Sequence, residues 1–336
     1  GSNLIIPYWY HLSSHNDCVG DCQFTSARPE LHKSPGTTSV AEQLEDYVAT
    51  ELPTCLRDFK PLSESYLITP TGEPTVQATI GKDSVYVALE YPLTVVRGDV
   101  ELKVSDYVSV LDVNLHEIFD LAVNLTNLQM EHRYLEKYSR NIIDSFASLD
   151  EESIPPVSEF IIDFGPGTVW VKNRVRNKMR DLLRSYIPML QVSGSRNYRF
   201  ISAREGARDP TLHEILYNRG ALIPLESTPR HLNVRYSMLD WWNPYIDLNC
   251  RGQICESEAV SNTFGFIFGM QRYQFAYDLS YPVMVEIDHP EAFGGEGYSF
   301  KFFLESNMRD NVPLVAKYRP LKTISLPLGT LFCDTE

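Results

Sequence analysis

Residues 106–149, DYVSVLDVNLHEIFDLAVNLTNLQMEHRYLEKYSRNIIDSFASL, decide the fold class. Val108, Leu111, Leu115, Ile118, Ala122, Leu125, Leu128, Leu135, Ile142, Phe146 and Leu149 recur mostly at steps of three and four. That spacing gathers side chains on one face of an α-helix. Neither Pro nor Gly interrupts the run. It predicts one very long helix, about 65 Å at 1.5 Å per residue, with Asn124 or Asn127 as places to bend. A stripe of this kind packs on a core; a self-pairing coiled coil is the alternative, opposed by His132 and Ser139 on the seam.

Upstream the period falls to two. Val76, Ala78 and Ile80 alternate with polar residues, Val85, Val87 and Leu89 do the same, and Gly81-Lys82-Asp83-Ser84 makes a turn between them. With 93–96 and 100–104 this predicts an antiparallel meander over 66–104. Ahead of it, Ser39-Val40-Ala41-Glu42 has the form of a capping box and opens a helix carrying Val40, Leu44, Tyr47, Val48 and Leu52. Downstream, Pro155-Pro156 ends the helical region. A strand over 157–164 and a Gly165-Pro166-Gly167 turn lead to a basic amphipathic helix over 169–187, with Arg174, Arg176, Lys178, Arg180 and Arg184. Those charges serve a solvated face or a binding face for an acidic glycan or partner. The rest is aromatic, with candidate strands at 197–202, 231–238, 264–269, 272–279, 281–288 and 297–306 and a short helix at 211–218.

These elements imply an α+β fold, antiparallel sheet packed with a few helices, one of them very long. Residues 3–37 read as an irregular N-terminal arm, 38–310 as one composite domain, and 311–336 as a linker to a C-terminal domain that is missing. The long helix is expected to lie across strands from both halves of the chain, leaving a monomer in solution.

The 336 residues are 43% hydrophobic and 22% charged, the balance of a folded globular chain. Thirty basic and 44 acidic residues give a net charge of −14, which repels phosphate backbones and argues against nucleic acid as a partner. No apolar run approaches the ~20 residues of a membrane span. Gly1-Ser2 reads as a cloning remnant, and Asn3-Leu4-Ile5-Ile6-Pro7-Tyr8-Trp9-Tyr10 suits the water-side border of a removed N-terminal membrane anchor. An ordinary first strand is the other reading of that segment.

Six cysteines include two close pairs, Cys18/Cys22 and Cys250/Cys255. Both pairs are expected as disulfides, hence an oxidising compartment. His11, His15, Cys18 and Cys22 form a competing set of zinc ligands, although their spacing is not that of a standard finger. Asn124-Leu125-Thr126 is a glycosylation acceptor triplet. No nucleophile elbow, phosphate-binding Gly-rich loop or His-Glu-x-x-His is present, so no catalytic residue, metal or cofactor is assigned.

One aromatic cluster remains: Trp241-Trp242-Asn243-Pro244-Tyr245, flanked by Asp240 and Asp247. Trp241, Trp242 and Tyr245 read as packing residues or as a surface that stacks on a sugar ring. Asp240 and Asp247, with Trp242, would also suit a glycan-active hydrolase.

Pro7-Tyr8-Trp9, Gln43-Leu44-Glu45-Asp46-Tyr47, Cys55-Leu56-Arg57-Asp58-Phe59, Tyr277-Asp278-Leu279-Ser280-Tyr281-Pro282-Val283 and Leu331-Phe332-Cys333-Asp334 complete the reading. In this order and spacing the chain resembles uncharacterised archaeal membrane-anchored cell-surface proteins. The resemblance implies a single span with a large outer region, in some cases followed by a small carboxypeptidase-regulatory-like β-sandwich. It implies no activity and no site residue. The expected function is a non-catalytic, extracytoplasmic binding or structural module whose partner is a surface protein or a glycan; a hydrolase or carbohydrate-binding domain using Asp240, Trp242 and Asp247 is the alternative.

Overall fold

The computed structural model describes residues 6–35, 38–162, 167–200, 214–226, 229–259 and 269–319. The chain is α+β, mostly sheet with a few helices. Its N-terminal stretch contributes β1 (Tyr8–Leu12) and β2 (Gln23–Thr25). The expectation of an irregular arm is corrected here: Trp9 and Phe24 are buried, and removing such large rings from water draws the segment into the sheet. α1 (Val40–Leu56) starts at the expected capping box. The Glu42 amide donates to Ser39 Oγ at 3.1 Å, and the Ser39 amide donates to the Glu42 carboxylate at 2.8 Å.

The meander follows as β3 (Leu67–Pro70), β4 (Thr75–Ile80), β5 (Val85–Arg97) and β6 (Val100–Leu111). β5 lies between β6 on one side and β3 and β4 on the other, all antiparallel. Ala78 and Ile80 face inward, where α1 crosses β4.

The very long helix is not formed. Its first six residues, 106–111, belong to β6, where Val108 and Val110 share an exposed face at the two-residue strand step. The remainder is two helices, α2 (Leu115–His132) and α3 (Tyr134–Phe146). They meet at Arg133, whose φ of 54° is left-handed. A non-glycine residue there costs about 1–2 kcal/mol. Two contacts offset it: the Arg133 guanidinium lies over the rings of Tyr10 and Phe24, 5.2 and 5.1 Å from their centroids. The break also leaves polar backbone groups to satisfy. Gln129 Oε1 accepts from the Leu135 amide at 3.0 Å, and Gln129 Nε2 donates to Glu136 at 2.8 Å.

Next come β7 (Glu159–Ile162), β8 (Val169–Val171) and the basic helix α4 (Lys172–Tyr186). Short strands β9 (Gln191–Val192) and β10 (Leu222–Ile223) pair with each other. β11 (Asn233–Ser237), β12 (Tyr245–Leu248), β13 (Ile254–Glu256), β14 (Glu258–Ala259) and β15 (Met270–Tyr273) lead to the two longest strands of the second half, β16 (Tyr277–His289) and β17 (Tyr298–Arg309). β18 (Val312–Pro313) and β19 (Lys317–Tyr318) close the described chain. Both pair with the main sheet, so residues 311–319 are not free linker. Candidate strand 264–269 lies almost wholly outside the described residues, as do 211–213 of the short helix and the linker beyond 319 with Cys333.

The main sheet has eight strands in the order β11-β16-β17-β1-β2-β19, with β12 on β16 and β18 on β17. β1 runs parallel to β17, although the two are nearly 300 residues apart in sequence. α2 and α3 cover one face. Trp9 packs among Phe119, Phe300 and Phe302 with centroids 4.7–5.7 Å away. Glu136 accepts from the Asn307 amide at 2.8 Å, and Ser139 and Tyr281 share a hydroxyl hydrogen bond at 2.6 Å. Burial holds the Glu136 carboxyl above its usual range, against the pull of these hydrogen bonds.

Candidate functional site

The second face of the main sheet looks away from α2 and α3, and one interruption on its edge creates the site. β11 pairs β16 from Asn233–Ser237, and β12 pairs it from Tyr245–Leu248. Both lie on the same edge of β16, end to end. Between their registers β16 contributes three residues, Tyr281–Val283, while the edge chain contributes seven, 238–244. The cause is Pro282. The Phe303 amide donates to the Pro7 carbonyl on the β1 side at 2.9 Å. By strand alternation, Leu304 and its partner Val283 turn toward each other, and Pro282 turns toward the β11–β12 edge. Proline has no N–H to offer there, so the ladder opens and the edge chain leaves it.

What the excursion carries is Trp241 and Trp242. Trp241 is 72% exposed and Trp242 is 37% exposed, while Met238 at the base is buried. The two indoles lie 5.5 Å apart at 60°. Trp242 continues an aromatic row on the sheet face: its ring is 6.5 Å from Tyr8, which stacks on Phe303 at 4.9 Å. Neither Trp lies in the core. Tyr245, expected on the same surface, is half-buried at the start of β12 beneath Arg309, 5.3 Å from its ring centroid. Burial, then the charges of Asp247 and Asp278, push its phenol up. Under the row, Glu305 accepts from the Leu12 amide at 2.6 Å and from Ser280 at 2.8 Å. Burial nonetheless raises its carboxyl, and burial followed by the Glu305 charge pushes the Tyr8 phenol up to about 12.

On its other flank the excursion runs along α4. Arg176, Arg180 and Arg184 are spaced four apart, one helical turn each, on one face. Arg184 meets Asp240, through the carbonyl oxygen and a carboxylate oxygen 4.0 Å away. Arg180 meets Asn243 Oδ1 at 3.4 Å and Asn177 Oδ1. Arg176 and Lys172 both reach Asp247 at 2.6 Å. Burial works against ionisation of Asp247, but the hydrogen bonds from Lys172 and Arg176 outweigh it and hold the carboxyl below the usual range. Between helix and excursion lies a groove of about 380 Å³, lined by Asn173, Asn177 and Asn243, the two guanidiniums of Arg176 and Arg180, and the ring of Pro244.

The structure therefore places Asp240, Trp241 and Trp242 on the excursion and Asp247 on β12 just after it, and joins to them a row of cations from α4. The arginines were already legible as one face of the basic helix, but not their position beside Trp241 and Trp242; the excursion could have been found from a proline inside an otherwise apolar strand. Tyr8 and Phe303 left no such signal.

The expected disulfides are formed. Cys18–Cys22 and Cys250–Cys255 have Cα separations of 5.5 and 4.7 Å. The first consumes both sulfurs of the zinc alternative, so His11 and His15 keep no thiolate partners there. No group of three or more metal-binding side chains occurs among the described residues. Asn124 is exposed on α2, but the Thr126 hydroxyl of its triplet is buried and donates to the Ala122 carbonyl. No helix among the described residues is long and apolar enough to cross a membrane.

In comparisons with known proteins, no family model, curated protein or solved structure matches this chain. The functional reading rests on the geometry above.

Proposed function

We propose that this chain is a non-catalytic, extracytoplasmic binding module of a membrane-anchored surface protein, and that it recognises glycans through residues 238–244. The observation that carries the reading is the excursion at Pro282, which lifts two tryptophans out of a sheet edge and leaves Trp241 largely, and Trp242 partly, in water. Solvent-exposed indoles forfeit a large burial gain in the free protein. They recover it when a ring with apolar C–H faces stacks on them. The polar rim, three asparagines and the Arg176–Asp247 pair, matches the hydroxyls of such a ligand. Two disulfides support an oxidising compartment.

The hydrolase alternative is less well supported. A glycosidase needs one carboxyl that keeps its proton in a shielded site. Asp247 is instead held ionised as the counter-ion of Lys172 and Arg176, and the Asp240 side chain is 97% exposed. A glycan array tests the proposal, with intact protein compared with Trp241→Ala/Trp242→Ala. Binding that the double variant loses while its melting curve is retained supports the reading. An array on which no glycan binds, or on which both proteins bind alike, refutes it.

A further inference from the structure

Resting on the glycan reading above, we propose that the groove between α4 and residues 238–244 selects acidic sugars, with Arg180 taking the carboxylate of a uronate unit.

The argument starts from charge. α4 carries six basic residues and one acidic residue in fifteen, within a chain of net charge −14. The neighbouring cations of the row each have a carboxylate nearby: Asp247 is shared by Lys172 and Arg176, one negative charge against two positive, and the exposed Asp240 carboxylate lies 4.0 Å from Arg184. Arg180, between them, forms no ion pair among the described residues; its guanidinium touches only the side-chain amides of Asn177 and Asn243. An amide oxygen orients a guanidinium without cancelling its charge. The cation is thus held in place and left for an outside anion.

Shape and chemistry narrow the anion. The groove's 380 Å³ falls in the range of small-ligand clefts. The side-chain oxygens of Asn173, Asn177 and Asn243 accept from Arg176 and Arg180, and their NH2 groups remain as donors to sugar hydroxyls. A guanidinium fork pairs two parallel N–H groups with a planar carboxylate. Trp241 lies in the same seven-residue segment as Asn243, so a stacked ring and a bound carboxylate fit one oligosaccharide. The second face of α4 provides an internal control. Arg174 and Lys178 line a separate depression beside Glu151 and Glu152, and they would not reach this ligand.

The test uses a short oligogalacturonate and its full methyl ester, the same sugars without the charge, titrated into the intact protein by calorimetry. The proposal expects the acid to bind at least about tenfold more tightly than the ester, the value of one charge-assisted hydrogen-bonded pair. Arg180→Gln should bring the acid down to the level of the ester, Arg180→Lys should lie between, and Arg174→Gln should change nothing. Unaltered circular dichroism and melting of the Arg180 variants establish that the loss is not unfolding. Equal affinity for acid and ester, or an equal loss in Arg174→Gln, overturns the acidic-sugar assignment and leaves the glycan reading standing. Binding of neutral glycans alone, abolished in Trp241→Ala/Trp242→Ala, does the same. Absence of binding to any glycan on the array refutes both.

Discussion

Asp247 shows how one residue fixes the site. It is the only carboxylate in contact with Lys172 and Arg176 among the described residues, and the Lys172 side chain is just 11% exposed. Removing the charge strands a shielded ammonium, at a cost of about 1–3 kcal/mol. Asp247→Asn should therefore melt lower than the parent protein at neutral pH. The pH dependence has a definite sign. The folded-state carboxyl is held below its ordinary value of 3.8, so its contribution is complete above that value and vanishes as pH falls through the lower, folded one. Paired thermal melts should show a gap that is constant above about pH 5 and closes in acid. A gap that widens in acid would contradict the ion pair. Trp241, Trp242, Asp240 and Asp247 were legible in the sequence as a cluster. The partners of Asp247 were not, because they lie on a helix some seventy residues earlier and only the sheet brings them near. Close cysteines were readable for the opposite reason: short loops restrict what each sulfur can reach.

At the level of elements, local chemistry was the reliable guide. The Ser39–Glu42 box and the two-residue period of the meander each depend on neighbours in sequence, and both formed as expected. The long helix failed because apolar spacing does not register backbone handedness. Arg133 takes a left-handed conformation, and its guanidinium lies over Tyr10 and Phe24, more than a hundred residues earlier, a contact that spacing within the helix does not reveal. The Val108–Val110 step was the available sign that a strand continued past 106. Covering of the helical stripe yields a further prediction. Ile118 and Leu125 on α2 and Ile142 on α3 are buried against the sheet, so no continuous stripe is left for self-pairing. Ile118→Glu should unfold the chain, costing more than about 4 kcal/mol by burying an unpaired carboxylate in place of a packed side chain. Denaturant melts check it. A folded Ile118→Glu protein that had merely lost a dimer would show that α2 is a partner-binding surface after all.

Over the whole molecule, the parallel pairing of β1 with β17 and the return of β19 to β2 tie both ends of the described chain into one sheet. Such contacts carry no local signature, which is why residues 3–37 and 311–319 read as arm and linker. The same closure places Tyr8 beside Trp242 and so helps to build the aromatic row. Compartment is also a property of the whole chain. Peptide mapping without reductant should recover Cys18 joined to Cys22 and Cys250 joined to Cys255; six free thiols in protein made under oxidising conditions would remove the case for export. The central claim is that ligand binds where Pro282 opens the sheet edge. Hydrogen–deuterium exchange with and without the best glycan from the array tests it most directly. Slowed exchange confined to residues 238–248 and the facing turns of α4 is the predicted result; protection elsewhere, with that segment unchanged, would contradict it.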